Sequence, residues 1–370
     1  MSANYKKLKD YITQRREKNT AINLPICGVC REGLIPPKQQ DADISLYNVF
    51  YKNDFIFNPA RMELNSITLN TEYDKAICSS LYEIVYINDT SKLLPEFLFV
   101  QLKTDNFVRF CEFQGQGSVR EYCRFANISE YPVIVPDLKE QEKIVNTYNA
   151  ITKRIQIKQK INENLEKTAQ CLFEKYYEKE ELNNTVLSTL IDVRDGTHDS
   201  PVFLPEGYPL VTSQNLSPFY INKNETNKIS EEDYKKINER SLVETNDILM
   251  SMIGTVGNVS LVTDEEVTFA IKNVALLKTS RNMAYRNWVL CFLKSRNFST
   301  WLNETLTGST QQYVSLGEIR KISIKVPTVK ELKKFNLAVD RIINMIIKET
   351  TELVKLQELK QLVISQISKR

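Results

Sequence analysis

Two long stretches of the chain carry apolar residues at alternating steps of four and three, which is the pattern of a heptad repeat. In the first stretch the seam positions are Ile144, Tyr148, Ile151, Ile155, Leu165, Ala169, Leu172 and Tyr176, with the polar Lys158 and Asn162 at the missing steps. In the second they are Phe335, Val339, Ile342, Ile346, Leu353, Leu356, Val363 and Ile367, with Glu349 and Lys360 as polar members. Each pattern predicts a helix of about 40 residues, or roughly 60 Å, that begins after a proline, Pro136 or Pro327.

The matched length and phase of these helices favour packing of one against the other. Because the two halves of the chain are directly repeated, a twofold arrangement makes the two helices antiparallel. With flush ends Asn162 faces Glu349 near the midpoint, and one polar layer of this kind can fix the register. The alternative is that each helix lies on its own globular domain.

The chain repeats itself. A shift of 191 residues aligns 97–165 with 288–356 without a gap, and 16 positions are then identical, where composition predicts roughly four by chance. Upstream, Asn53-Asp54-Phe55-Ile56 corresponds to Asn246-Asp247-Ile248-Leu249, and Ala76-Ile77 to Ala270-Ile271. A period this long indicates a duplicated domain rather than a solenoid.

The globular part of each half mixes strand and helix patterns. Short apolar or alternating runs predict strands at Tyr82–Ile87, Tyr131–Val135, Ile248–Met252, Val274–Leu277 and Ile322–Val326. Helical stretches fall at Pro95–Phe110 and Arg286–Glu304. The predicted fold class is α+β: two mixed α/β domains, each followed by a long helix, with the helices forming an antiparallel coiled coil. The predicted boundaries are 1–137, 138–180, 181–327 and 328–370.

Charge and composition limit the classes of function. The chain has 370 residues with 49 Lys+Arg against 46 Asp+Glu, so its net charge does not by itself argue for nucleic acid. A single histidine excludes histidine-rich metal sites and mechanisms that need two histidines. The sequence has no apolar run of about 18–20 residues. No hydrophobic stretch follows the charged residues at its start, so a signal peptide is not expected. Seven scattered cysteines suit reduced thiols, and a cytoplasmic protein is expected.

No catalytic constellation can be assembled from the sequence. Phosphate-binding and dinucleotide-binding glycine motifs are absent. His198-Asp199-Ser200 are sequence neighbours, which rarely reach triad geometry. Phe57-Asn58-Pro59-Ala60 lacks the second proline and the aromatic residue of the amino-methyltransferase motif. Cys27 and Cys30 form a lone C-x-x-C pair, for which ordinary buried thiols are the favoured interpretation over a metal or redox site. We therefore expect a non-catalytic chain without a metal.

Polar residues in the loops are the candidates for DNA contacts, because Arg pairs with guanine, Gln and Asn pair with adenine, and Ser, Thr and Lys suit phosphates. In the first half these candidates are Arg15, Arg16, Arg31, Arg61, Ser118 and Arg120. In the second half they are Arg194, Thr197, His198, Gln214, Asn215, Lys272, Asn273, Ser309, Thr310, Gln311 and Gln312. The alternative for any one of them is a solvated loop residue.

The order of these motifs resembles a known family. The second domain contains, in order, Asp195-Gly196-Thr197-His198, Ser200-Pro201, Gly207-Tyr208-Pro209, Asn246-Asp247, Gly254-Thr255-Val256-Gly257 and Gly308-Ser309-Thr310. Together with the alternation of domain and long helix, this resembles the specificity subunit of type I restriction–modification systems over essentially the whole chain. The first domain lacks the opening motif and reads Leu8-Lys9-Asp10-Tyr11-Ile12-Thr13 instead.

The resemblance implies a function. Each globular domain of that family is a target recognition domain that reads one half of a split site in double-stranded DNA. The paired helices space the two halves and dock two methyltransferase subunits, and nuclease–translocase subunits complete the enzyme. S-adenosylmethionine for adenine methylation is then expected on the methyltransferase, and ATP and Mg on the nuclease–translocase, with no cofactor on this chain. The alternative function is a non-catalytic coiled-coil scaffold that joins protein partners without reading bases.

Overall fold

The computed structural model describes residues 6–37, 43–115, 122–179, 182–307 and 313–369. The chain divides into two compact units. Unit 1 comprises Met1–Ile155 together with Leu356–Arg370, and unit 2 comprises Gln156–Lys355. Each long helix therefore contributes one part to each unit. This division by contact differs from the division by chain order that the sequence suggested.

Unit 1 is an α/β domain in which all but the last of the described strands precede the α-helices. Its elements, ending with the long helix that continues into unit 2, are β1 (Lys6–Lys7), β2 (Ile12–Arg15), β3 (Ile26–Val29), β4 (Leu34–Ile35), β5 (Asn48–Tyr51), β6 (Phe55–Phe57), β7 (Ile67–Leu69), β8 (Lys75–Cys78), β9 (Glu83–Ile87), α1 (Pro95–Leu102), α2 (Asp105–Gly115), α3 (Phe125–Ile128), β10 (Pro132–Val133) and α4 (Leu138–Tyr177).

The strands of unit 1 form two larger sheets and one short pair. One sheet has the order β2-β9-β6-β7 and is antiparallel throughout. The other has the order β4-β3-β8-β5, in which β3 and β8 are parallel. The first strand of the unit, β1, pairs with the last, β10. Phe55, Phe57 and Phe97 are buried in the core between the first sheet and α1.

Unit 2 repeats this order with a few additions. Its elements are β11 (Asn183–Val186), α5 (Leu187–Leu190), β12 (Val193–Asp195), β13 (Tyr208–Val211), β14 (Leu216–Ser217), β15 (Tyr220–Ile221), β16 (Asn227–Ile229), α6 (Glu231–Ser241), β17 (Ile248–Ser251), β18 (Val259–Leu261), β19 (Ala270–Ile271), β20 (Val274–Leu277), α7 (Met283–Leu293), α8 (Arg296–Thr307), α9 (Leu316–Arg320), β21 (Ser323–Val326) and α10 (Val329–Lys369).

The sheets of unit 2 match those of unit 1. The order β12-β20-β17-β18 corresponds to β2-β9-β6-β7, and the parallel pair β13 and β19 corresponds to β3 and β8. The pair β11 and β21 joins the beginning and end of the unit as β1 and β10 do. The domain duplication predicted from the sequence is therefore confirmed at the level of topology.

Two aligned asparagines show how closely the repeats agree. Asn53 and Asn246 both adopt the left-handed backbone conformation, with φ of 67° and 72°. This conformation is costly for most residues and comparatively frequent for Asn. Each asparagine precedes a buried aspartate, Asp54 or Asp247, at the start of the matching strand.

Each stretch predicted as one shorter helix is in fact two helices. Pro95–Phe110 is interrupted between α1 and α2, and Arg286–Glu304 between α7 and α8. The hydroxyl of Thr104 accepts a hydrogen bond from the backbone N–H of Phe107 at 3.3 Å, and Ser295 does the same for Phe298 at 3.3 Å. A buried hydroxyl that caps the second helix explains the break, which apolar periodicity does not reveal.

The long helices α4 and α10 are antiparallel where they meet, as predicted. In unit 2 the side-chain amide of Asn162 donates to the hydroxyl of Thr350 at 3.0 Å, and Lys179 further along α4 pairs with Glu331 earlier in α10 at 2.8 Å. In unit 1 Tyr148 is packed with Ile364.

The predicted register of the polar layer is wrong in detail. Asn162 bonds to Thr350 rather than facing Glu349. Glu349 instead lies 2.6 Å from the ammonium group of Lys158, which also reaches Glu352 at 2.6 Å. A lysine between two carboxylates gains more electrostatic energy than an amide beside one carboxylate, and this favours the observed pairing.

The predicted seam is buried to different degrees. Its positions are buried at Tyr148, Ile151, Ile155, Val339 and Ile346 and half-buried at Ile144, Leu165, Ile342, Leu353 and Leu356. The predicted seam positions did not include Phe173, which is fully buried. The centroid of its ring lies 4.8 Å from that of Trp288. Because α4 also covers the globular core of unit 2, its apolar stripe is wider than a two-helix seam.

Candidate nucleic-acid interface

The predicted Asp-Gly-Thr-His motif of unit 2 forms one connected site at the end of β12. The buried carboxylate of Asp195 accepts hydrogen bonds on both oxygens. Oδ2 lies 2.9 Å from Nε2 of His198, and Oδ1 accepts from the guanidinium of Arg240 on α6. The other ring nitrogen of His198, Nδ1, lies 2.8 Å from Oδ1 of Asn273. The end of β12, the loop that follows it and α6 are therefore joined through the carboxylate of Asp195.

Gly196 allows this arrangement because the chain passes very close to β19 at this point. A Cβ at Gly196 would lie 2.3 Å from the carbonyl oxygen of Ile271, which is impossible without a backbone shift. The next residue, Thr197, forms an isolated bridge with Lys272. Asn273 follows in the left-handed conformation with φ of 55°. The close approach of the two backbone segments explains why the motif has glycine at position 196.

The carboxylate of Asp195 changes the protonation of the histidine. Hydrogen bonding to Asp195 and then to Asn273 raises the pKa of His198 above its ordinary value of 6.5. An imidazolium can donate on both sides, which matches an oxygen acceptor on each side of the ring. The folded chain thus stabilises the imidazolium relative to a free histidine side chain.

A cleft of about 220 Å³ adjoins this motif. Charged groups of both signs line it: Asp199 and Asp233 against Lys236 and Arg240. The ammonium group of Lys272 donates to the hydroxyl of Ser200, another lining residue, at 2.8 Å. Four of the predicted contact residues of unit 2, namely Thr197, His198, Lys272 and Asn273, are therefore brought together here.

In unit 1 the structure brings Arg31 and Arg61 to one cleft of about 880 Å³. Both side chains are exposed. The ammonium group of Lys103 donates to the backbone carbonyls of Arg31 at 2.8 Å and Ile67 at 2.7 Å, which ties the loop of Arg31 to β7. Burial lowers the pKa of Lys103 to about 7. Lys103 was not among the predicted site residues, although its identity with Lys294 in the repeat was a usable signal.

Arg15 has a structural partner. Its guanidinium donates to both oxygens of the buried Asp54, at 2.7 and 3.1 Å. Its guanidinium carbon lies 4.7 Å from the ring centroids of both Tyr51 and Tyr86. A bidentate pair held between two aromatic rings is a rigid internal contact. The aligned Asp247 of unit 2 is paired with the fully buried Lys278.

Asn215 also has a structural role. It is buried, and its side-chain oxygen accepts hydrogen bonds from the backbone N–H of Thr212 at 2.9 Å and from the hydroxyl of Thr212 at 3.0 Å. Arg194 is half-buried and donates to Asp192 at 2.7 Å and to the backbone carbonyl of Arg240 at 2.9 Å. Arg194 therefore holds the last turn of α6, which carries Arg240.

The other predicted contact residues fall into two groups. Arg16 and Gln214 are exposed. The remaining six lie outside the described residues: Ser118, Arg120, Ser309, Thr310, Gln311 and Gln312. Sequence reasoning missed Arg240 and Lys236, because both are on a helix with a polar surface rather than in a loop. Only the contact of Arg240 with Asp195, which depends on the tertiary fold, singles it out.

The C-x-x-C pair lies on and just after β3. Cys27 is buried, and burial raises the pKa of its thiol to about 11. The thiol of Cys30 donates to the carbonyl of Gly33 at 3.5 Å. Within the described ranges, no three histidine, cysteine or acidic side chains lie close enough to hold a metal ion. In the same part of the chain, no helix is long and apolar enough to cross a membrane.

Both halves of the chain match a known protein family. The family model for the type I restriction modification DNA specificity domain matches the chain twice, over residues 36–167 and 207–362. The two matches cover most of the chain and coincide with the two repeated halves. The chain belongs to this family.

Individual relatives are distant. The chain is 23% identical over 111 residues to the type I restriction enzyme HindI specificity subunit of Haemophilus influenzae, covering 30% of this chain and 24% of that protein. It is 24% identical over 267 residues to "Putative type I restriction enzyme specificity subunit S.HindORF215P" of the same organism, covering 69% and 66%. The matches thus span about a quarter and just under two thirds of the relatives' own lengths.

A solved structure has the same fold. The S subunit of a type I restriction–modification system from M. genitalium aligns with a TM-score of 0.61 at 15% identity. The alignment covers 99% of this chain and 96% of that chain. Two α/β domains that alternate with two long helices are therefore the fold of this chain, as its sequence predicted.

Proposed function

We propose that this chain is the specificity subunit of a type I restriction–modification complex. Its two units each read one half of a split DNA site, and it directs partner methyltransferase and nuclease–translocase subunits to that site. The observation that carries the proposal is the double match to the DNA specificity domain, because it assigns the same kind of domain to both halves.

The geometry supports a role for each unit in binding. Unit 2 gathers Thr197, Lys272 and Arg240 around one cleft, and unit 1 places Arg31 and Arg61 at another. Arg, Lys and Thr side chains hydrogen-bond to phosphates and base edges. Two units that read different half-sites need different contacts. The contact of Asp195 with His198 is one that unit 1 cannot make, because the chain has a single histidine.

The two helices are proposed to set the gap between the half-sites and to hold the methyltransferase subunits. Each helix takes part in both units and is uninterrupted over its 40 or 41 residues. A helix of that length is roughly 60 Å long, which is more than the ~34 Å of one DNA turn. Methylation of adenine with S-adenosylmethionine, and ATP-dependent cleavage with Mg, belong in this proposal to the partner subunits.

Selection from a random pool of duplexes tests the proposal. The chain, in complex with its methyltransferase partner, is incubated with the pool at increasing salt, and the bound DNA is sequenced. We expect a two-part motif that persists as salt rises, because base contacts add to the salt-sensitive phosphate contacts. Binding that shows no motif and collapses with salt would contradict base readout and leave the scaffold function.

A further inference from the structure

We propose that Arg240 reads a guanine in the half-site of unit 2, and that Asp195 is the positioning residue that orients it. This inference rests on the proposed function and deepens it by naming a base and two residues. Neither a loop motif nor the duplicated segment identifies Arg240. What singles it out is its contact with Asp195 and the charge around that carboxylate.

Asp195 is built to hold other side chains rather than to contact DNA itself. Its side chain is 9% exposed, whereas those of Arg240 and His198 are 67% and 51% exposed. Each carboxylate oxygen serves one of the two, Oδ1 for Arg240 and Oδ2 for His198. A buried anion beneath two exposed groups restricts their orientation while leaving their outer surfaces open.

The guanidinium of Arg240 has N–H donors that Asp195 does not use. Its Nη2 donates to Asp195, and in the part of the chain that the structure describes no other acceptor is bonded to this guanidinium. Guanidinium has five N–H donors in a planar fork. Two of them match the O6 and N7 acceptors of guanine in the major groove. Holding one edge of the fork by a carboxylate fixes the plane in which the other edge can bind.

The C-terminal end of α6 is held in place as well. The backbone carbonyl of Arg240 accepts from Nη1 of Arg194 at 2.9 Å, and Arg194 itself pairs with Asp192 at 2.7 Å. The backbone and the guanidinium of Arg240 are therefore both anchored to β12. Such double anchoring reduces the entropy that an arginine loses when it binds a base.

Local charge favours a base edge over a phosphate. Around the cleft the cationic Lys236, Arg240 and Lys272 are balanced by the anionic Asp195, Asp199 and Asp233. His198, whose pKa Asp195 raises, adds at most one positive charge. A phosphate brings a full negative charge to this nearly neutral cluster and gains little. A guanine edge is neutral and offers acceptors, so it gains hydrogen bonds without repulsion from the aspartates.

Duplex selection on the complex with the methyltransferase tests this inference. R240K keeps the charge and loses the planar fork, D195N removes the anchor, and K235Q is the matched control on α6, where Lys235 pairs with Glu231. We expect R240K to reduce discrimination at one guanine position by about 5- to 150-fold, and D195N to relax the same position. K235Q should keep the motif.

Each other result has a defined meaning. A wild-type motif that R240K leaves unchanged at every guanine overturns the inference alone. Uniform weakening across sequences, with a salt slope reduced by about one, identifies a phosphate contact and also overturns it. The absence of any wild-type motif overturns the proposed function and the inference together. If D195N fails to fold by circular dichroism, the exposed R240K variant still decides the question.

Discussion

The side-chain amide of Asn162 on α4 donates a hydrogen bond to the hydroxyl of Thr350 on α10, 3.0 Å away. One turn earlier on α4, Lys158 lies between Glu349 and Glu352. Polar contacts inside an otherwise apolar seam are satisfied in only one register, because any slip leaves them unpaired. These groups therefore fix the alignment of the two helices within unit 2.

The first prediction concerns this register. Lys158→Met leaves two carboxylates, whose side chains are 17% and 31% exposed, without their shared cation. We expect a loss of about 1–3 kcal/mol in the free energy of unfolding, measured by chemical denaturation. Lys160→Met is the matched control, because Lys160 pairs with Glu163 at the surface and should change stability by less than about 0.5 kcal/mol. Equal effects of the two variants would contradict the register argument.

The second prediction concerns the Asp-Gly-Thr-His motif. Gly196→Ala places a Cβ 2.3 Å from the carbonyl oxygen of Ile271, so it should destabilise unit 2 by about 1–3 kcal/mol or more. Gly317→Ala is the contrasting control. Gly317 lies inside α9, its new Cβ meets nothing closer than 3.8 Å, and the higher helix propensity of alanine should stabilise by about 0.5–1 kcal/mol. Thermal unfolding measures both, and a destabilised Gly317→Ala would refute the distinction.

The third prediction concerns pH. His198 is the single histidine of the chain, so NMR of the imidazole reports one group. Because Asp195 raises its pKa, we expect titration above 6.5 in the wild type and a lower pKa in D195N. The stability that the folded chain gains from the contact of protonated His198 with Asp195 is complete below pH 6.5, the ordinary pKa of histidine. This stability is lost as pH rises through the folded-state pKa of His198. Identical titration of the two proteins would show that Asp195 does not act on the ring.

The fourth prediction concerns the aligned loops 114–121 and 305–312. Residues 116–121 and 308–312 lie outside the described part of the chain, and this prediction rests on the sequence repeat. Exchange of the two loops should change the bases that are read and leave the fold intact, because the helices that precede them, α2 and α8, are equivalent. The motif from duplex selection checks the first part and circular dichroism the second. An unchanged motif would exclude these loops as readers.

Local sequence patterns predicted the regular parts of this molecule well. The helix that begins at Leu138 and the one that begins at Val329 follow directly from apolar spacing and a preceding proline. The duplication follows from residue identities, and the strand Val274–Leu277 was predicted with its observed bounds. These features depend on local sequence, so a single sequence is sufficient to find them.

The errors share a different cause. The break at Thr104 and the pairing of Lys158 with Glu349 depend on side-chain hydrogen bonds and ion pairs. Phe173 escaped the seam because it packs against Trp288, which is far away in the sequence. Apolar spacing carries no information about contacts of this kind.

The candidate site was predicted in part. The motif Asp195–His198 was found from residue order, and the structure brings its residues together with Lys272 and Asn273. Arg15 and Asn215 were chosen by residue type alone, and the structure gives both internal partners. Arg240 was missed because its significance comes from Asp195, 45 residues earlier. Whether a polar residue faces inward or outward is a property of the tertiary structure.

If this chain determines which DNA sequence is modified, genome-wide adenine methylation in cells depends on it. Methylation is mapped in cells that express the chain with its methyltransferase partner and in cells that express the partner alone. We expect a split, asymmetric methylation motif that is present only when the chain is present. Identical methylation in both cultures, while the two proteins still co-purify, would contradict this expectation and favour a scaffold.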